Sequence, residues 1–284
     1  MTERSGSLLL PVAAVVAAMV SIQSGAAFAK TLFPVVGPAG MTALRVGFAA
    51  LILLALRRPW RRSLSARDFG TVALYGAALG LMNLLFYLSL RTVPLGIAVA
   101  IEFTGPLAVA LWGSRRPADL AWIGLAVVGL VLLLPLHDAA PVDPLGAALA
   151  LAAGGCWALY IVFGQAAGRA GGPTAVALGM SVAALLVAPV GIAQAGAELL
   201  VPATLAAGLA VAVLSSALPY SLEMFALTRM PRPAFGVLMS LEPAIAALAA
   251  MPLLGEVPSP LQGLAILCVS AASIGMTVSA QRRV

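Results

Sequence analysis

The chain has 284 residues, of which 62% are hydrophobic and only 9% charged, with a formal net charge of +6. No soluble domain of this size can hide so much apolar surface, so the composition is that of a polytopic membrane protein. The basic residues are scattered between apolar runs rather than gathered in a patch, which excludes a nucleic-acid surface and leaves them as a topology signal.

Runs of about 20 apolar residues predict an all-α integral membrane protein of about ten transmembrane helices. They fall near 8–30, 38–57, 69–91, 93–113, 118–136, 144–165, 173–194, 203–227, 234–254 and 259–280. The breaks, among them Pro34–Gly40, Ser114–Pro117 and Gly255–Pro260, are short. Such connections join antiparallel neighbours and leave no soluble domain. With the N-terminus inside, Arg4, Arg57, Arg58, Arg61, Arg62, Arg67, Arg115, Arg116, Arg169, Arg229, Arg232, Arg282 and Arg283 all lie on the cytoplasmic side. Only Lys30, Arg45 and Arg91 do not. That asymmetry makes both termini cytoplasmic.

The first span begins after Arg4 and runs through Ala27-Phe28-Ala29, which also resembles a signal peptide with its cleavage site. Cleavage would leave nine spans and break the internal repeat described below, so the helix is expected to be retained. Within it Gln23 and Lys30, seven residues apart, share a face with Ala26 and Ala27 between them. Either that face meets a polar ligand, or Lys30 snorkels to the outer surface. Arg45, about two turns inside the second helix, either binds a substrate carboxylate or pairs with a glutamate. Gly76 and Gly80 in the third helix form a small-xxx-small pair suited to close helix packing.

The fourth span, LRTVPLGIAVAIEFTGPLAVAL, carries Glu102 near its centre and Pro106 one turn later. A carboxylate at that depth is expensive and turns toward protein or water. The proline frees a backbone carbonyl that needs another partner. Glu102 is therefore the first functional candidate: a proton-coupled carboxylate that also meets a substrate ammonium group, or else a structural partner of Arg45 or Lys30. Removal from water favours the neutral form of any carboxylate, which suits the first role.

His137 is the only histidine and lies in a polar loop beside Asp138, so no histidine-based metal or catalytic centre is expected. Cys156 and Cys268 both lie in apolar runs and make neither a disulfide framework nor a metal site. In the second half, Glu223 follows Pro219 by four residues, putting kink and carboxylate on one face, with Tyr220 beside it. It either takes part in function or pairs with Arg229. Glu242 precedes Pro243 about one-third of the way through its predicted helix and is a further candidate. Glu256, near Pro258, is expected to be a solvated loop carboxylate.

A weak internal repeat relates the segment around Arg91, Pro94, Gly96 and Pro106 to that around Arg229, Pro231, Gly236 and Pro243. It sets Glu223 and its surroundings opposite Asn83 and Tyr87. Five spans per half (8–136 and 144–280) is an odd number, so the two halves must be inverted, the usual architecture around a midplane transport site.

The segments SIQSGAAFAKTLFP (21–34), TALR (42–45), FYLSLRTVPLGIAVAIEFTGPLAVAL (86–111), SRRP (114–117), GCWALYI (155–161), ALPYSLEMFALTR (217–229) and SLEPAIAA (240–247) resemble the EamA type of the drug/metabolite transporter superfamily. The resemblance is specifically to its bacterial threonine/homoserine exporters and extends over essentially the whole chain. It implies a ten-helix inverted-repeat carrier of the inner membrane that exports small amino acids against proton entry, without a cofactor. A broader metabolite or drug carrier of the same superfamily is the alternative. The partners expected are threonine, homoserine, protons and the lipid bilayer, and a homodimer is left open. Two other classes fit poorly: an intramembrane serine protease needs a histidine within the membrane, and a channel needs a continuous polar stripe or charge ring.

Overall fold

The computed structural model describes residues 9–61, 65–112, 117–132, 142–171, 173–227 and 238–281, and those residues contain helices and no strand. The helices of the first half are α1 (Leu9–Thr31), α2 (Phe33–Arg57), α3 (Ala66–Ser89), α4 (Leu95–Glu102), α5 (Thr104–Trp112) and α6 (Pro117–Leu132). Those of the second are α7 (Pro144–Gly171), α8 (Pro173–Ala195), α9 (Pro202–Ala212), α10 (Leu218–Leu227), α11 (Glu242–Leu254) and α12 (Pro260–Gln281). Five stretches, Leu10–Thr31, Phe33–Arg57, Ala66–Ser89, Pro144–Arg169 and Thr174–Leu200, are each long and apolar enough to cross a membrane. Large apolar side chains such as Leu51, Leu74, Leu185, Leu248 and Leu267 are exposed on the outside of the bundle, as a hydrocarbon solvent permits. This is a multi-pass membrane protein.

Proline and glycine alter the predicted spans in three places. The Pro34–Gly40 stretch is not a loop but part of α2, which begins at Phe33 and kinks at Gly37 (φ 67°, ψ 168°). Pro34 is tolerated because an amide in the first turn has no helical partner anyway. The fourth span is broken rather than continuous: α4 ends at Glu102, Phe103 turns, and α5 starts at Thr104. The eighth is interrupted by a π-helical turn, Val213–Ala217, just before Pro219. Glu242 is also the first residue of α11 rather than an interior one.

Helix packing brings the two halves of the chain into one bundle. The second spans of each half, α2 and α8, lie against each other, α3 packs on α7 and α8, and α6 packs on α12. α1 packs on α9, α10 and α11, α4 on α7 and α11, and α5 on α7. Small residues let the backbones approach. A Cβ on Gly76 would strike the Gly179 carbonyl, and one on Gly80 would lie 2.9 Å from the Ala183 Cα. These glycines therefore serve close packing within the bundle.

The bundle has two chemically different ends. At one, Val72, Ala167 and Ala175 pack together, close to Arg67 and Arg169. At the other, the Thr92 hydroxyl donates to Asp143 Oδ2 at 2.8 Å, and the Gly146 amide donates to the same oxygen at 2.8 Å. The Gly146 amide, then the Thr92 hydroxyl, hold the Asp143 carboxyl below the usual carboxylate range. His137 and Asp138, and Arg229 as the alternative partner of Glu223, lie outside the described residues.

Candidate functional site

Two prolines create the backbone around which the buried polar residues gather. A proline has no amide to give the carbonyl four residues earlier. Pro219 thus frees the carbonyl of Ser215, in the π-helical turn, and Pro106 frees that of Glu102. The first is claimed by Arg45, whose Nη2 donates to it at 3.1 Å while Nε donates to Ser216 Oγ at 3.3 Å. The second faces α7 at Gly154, where a Cβ would lie 2.6 Å from the Glu102 carbonyl oxygen. Gly105 of α5 is in turn pressed against the Gly154 carbonyl.

Arg45 is only 6% exposed and lies over the ring of Tyr87, 5.2 Å from its centroid. That geometry gives it a cation–π contact on one side and a helix carbonyl on another. Tyr87 also packs against Phe33 and Phe86. From α1, buried Gln23 donates its Nε2 hydrogen to Glu242 Oε1 at 3.0 Å. Glu102 is 7% exposed and lies within electrostatic reach of Glu242 and Arg45, and Glu223 within reach of Glu242. Five sequence candidates, Gln23, Arg45, Tyr87, Glu102 and Glu242, therefore converge from α1, α2, α3, α4 and α11. Glu223 adjoins them.

Four buried polar atoms at this centre have no hydrogen-bond partner among the described residues: Gln23 Oε1, Tyr87 Oη, Ser215 Oγ and Glu242 Oε2. Buried polar atoms in folded proteins are nearly always satisfied, and each that is not costs about 1–3 kcal/mol. Four of them beside one guanidinium and several carboxylates describe a place suited to a small polar ligand carrying both signs of charge.

The remaining candidates stand elsewhere. Asn83 is buried, and its amide is already committed to the Leu79 carbonyl at 2.8 Å. Tyr220 lies in α10, but its side chain is outside the described residues. Lys30 does not join Gln23 or Glu102. Its Nζ pairs with Glu256 at 2.5 Å and donates to the Val93 carbonyl at 3.2 Å. Glu256 is therefore not a free loop carboxylate, because Lys30 and the Leu95 amide hold its two oxygens. A cavity of about 110 Å³ adjoins Glu256 and touches none of Arg45, Glu102, Glu223 or Glu242. The Ser215 carbonyl and Gly154 were not singled out in the sequence. The proline four residues downstream was the available signal for the first.

The model of the EamA-like transporter family matches residues 144–278. The threonine/homoserine exporter RhtA of Escherichia coli (strain K12) is 54% identical over 274 residues, covering 96% of this chain and 93% of its own. The protein of the same name from Salmonella typhimurium (strain LT2) is 56% identical over the same shares. One solved crystal structure, 21% identical, superposes with a TM-score of 0.62 over 99% of each chain, a likeness of fold alone. Identity at this level over nearly the whole length leaves no doubt of kinship: the chain belongs to the EamA-like transporter family.

Proposed function

We propose that this protein is a secondary exporter that carries threonine and homoserine out across the bacterial inner membrane in exchange for protons. The relatives named for that activity, 54–56% identical over 96% of the chain, support the substrate class. The observation that carries the mechanism is the cluster of unpartnered buried polar atoms around Arg45, Glu102 and Glu242. Arg45 would take the substrate carboxylate, and Glu102 with Glu242 the ammonium. If all are ionised, Glu102, Glu223 and Glu242 outweigh Arg45 in charge. A substrate ammonium or an entering proton would restore the balance, and competition between the two is the physical content of antiport.

Two inverted five-span halves would supply the motion. The packing supports this, because it keeps the same form when the halves are exchanged. α3 packs on α7 as α10 packs on α1, and α4 and α5 pack on α7 as α11 packs on α1. The pairs α2–α8, α4–α11 and α6–α12 match equivalent spans with each other. The arginine-bearing end is read as cytoplasmic, with both termini there.

The test is efflux of labelled threonine and homoserine from reconstituted vesicles, with and without an imposed pH gradient. Saturable movement of both that responds to the gradient is expected. Folded protein that moves neither would redirect attention to larger amines and metabolites.

A further inference from the structure

The substrate contacts proposed above leave Lys30 and Glu256 unused, and they lie at the end of the bundle opposite the arginines. Glu256 Oε1 pairs with Lys30 Nζ in the last turn of α1. Its Oε2 accepts from the Leu95 amide at 2.7 Å, the first amide of α4, since Pro94 has none. Lys30 also reaches the Val93 carbonyl just before α4. One carboxylate thus ties the end of α1 and the start of α4, both in the first half, to the α11–α12 connection in the second. Gly255, at φ 68°, turns the chain out of α11 and sets Glu256 in place.

Beside Glu256 lies the cavity of about 110 Å³, walled in part by Pro94, Gly96, Ile97, Ala247, Ala250 and Glu256 itself. It is large enough for several waters. The two charged side chains keep 19% and 21% of their exposure, so the pair lies at the boundary between the packed bundle and the solvent. A pair at such a boundary can separate into water, whereas parting a fully buried pair would strand both charges.

We infer that the Lys30–Glu256 pair is the outer gate of the carrier, closed here, and that it must part in every export cycle. This rests on the exporter reading and its orientation. Any rocking of the two halves that widens the outer end pulls directly on this contact. Lys30 and Glu256 are positioning residues, and neither needs to touch the substrate at the centre.

The test starts from protein in which Cys156 and Cys268 are replaced by alanine. Lys30→Cys and Glu256→Cys are then joined by a short bifunctional methanethiosulfonate, because two long side chains hold their backbones too far apart for a direct disulfide. The joined protein is expected to lose most of its threonine efflux and to regain it on reduction. Reagent-treated single-cysteine variants should keep theirs. Undiminished efflux from the joined protein would overturn the gate, as would failure of the two cysteines to join.

A second measurement does not require transport. With Ala250→Cys in the cavity wall of the same background, an impermeant maleimide added from outside should label several-fold faster when Glu256→Gln is also present. Equal rates would overturn the gate. Wild-type protein that moves neither amino acid would instead count against the exporter reading, so the two ideas fail separately.

Discussion

At the scale of single residues, position decides what each charge can do. Glu102 is buried within electrostatic reach of Arg45 and Glu242, and in the antiport proposed above it would be the carboxylate that exchanges a proton with substrate. Glu102→Gln is expected to leave folded, inserted protein whose efflux no longer follows an imposed pH gradient. Coupling that survives intact would remove Glu102 from the mechanism. Arg45 holds Ser216 Oγ through Nε and the Ser215 carbonyl through Nη2. A lysine cannot span both with a planar fork. Arg45→Lys should raise the KM for threonine about tenfold, the equivalent of ~1.4 kcal/mol of binding. An unchanged KM would make Arg45 purely structural. The candidates were legible in the sequence because ionisable groups are rare in apolar runs. Their partners were not, since the partner of Lys30 lies 226 residues away in a connection that looked solvated.

At the scale of elements, breaks in helices matter more than their lengths. α4 has eight residues and spans about 12 Å, too short to cross a bilayer alone. It needs α5 to continue the path beyond Phe103. The freed Glu102 carbonyl at that junction can approach α7 only because position 154 has no side chain. Gly154→Ala should therefore lower stability by about 1–3 kcal/mol through overpacking and disturb proton coupling through the displaced Glu102 backbone. Thermal unfolding in detergent and the vesicle assay would report the two effects. Wild-type behaviour in both would mean that α5 and α7 separate without cost. The kinks at Pro106 and Pro219 were readable from proline chemistry. The π-helical turn at Val213–Ala217 was not, because no local residue preference distinguishes a π turn from an α turn and packing against α1 and α2 bears on it.

At the scale of the whole molecule, the arginine asymmetry and the packing agree on two distinct ends. If the arginine-bearing end faces the cytoplasm, a lone cysteine at Thr92→Cys should react with an impermeant maleimide in intact cells. One at Arg57→Cys should react only after permeabilisation. The reverse pattern would invert the orientation and place the Lys30–Glu256 pair inside. The repeat was faint in the sequence, carried by a few prolines, glycines and arginines. The proposed two-repeat reading draws its further support from which helices touch, since packing partners follow backbone shape and tolerate side-chain drift.

By itself the sequence determined that the chain is a helical membrane protein, roughly where it crosses, and which few residues carry charge at depth. These follow from local quantities: the hydropathy of a window, the missing amide of a proline, the expense of an ion in hydrocarbon. Only the tertiary structure decided that Gln23, Arg45, Tyr87, Glu102 and Glu242 meet while Lys30 stands apart with Glu256. Contacts between spans depend on how five or six helices share one core, and no spacing within a single helix contains that information.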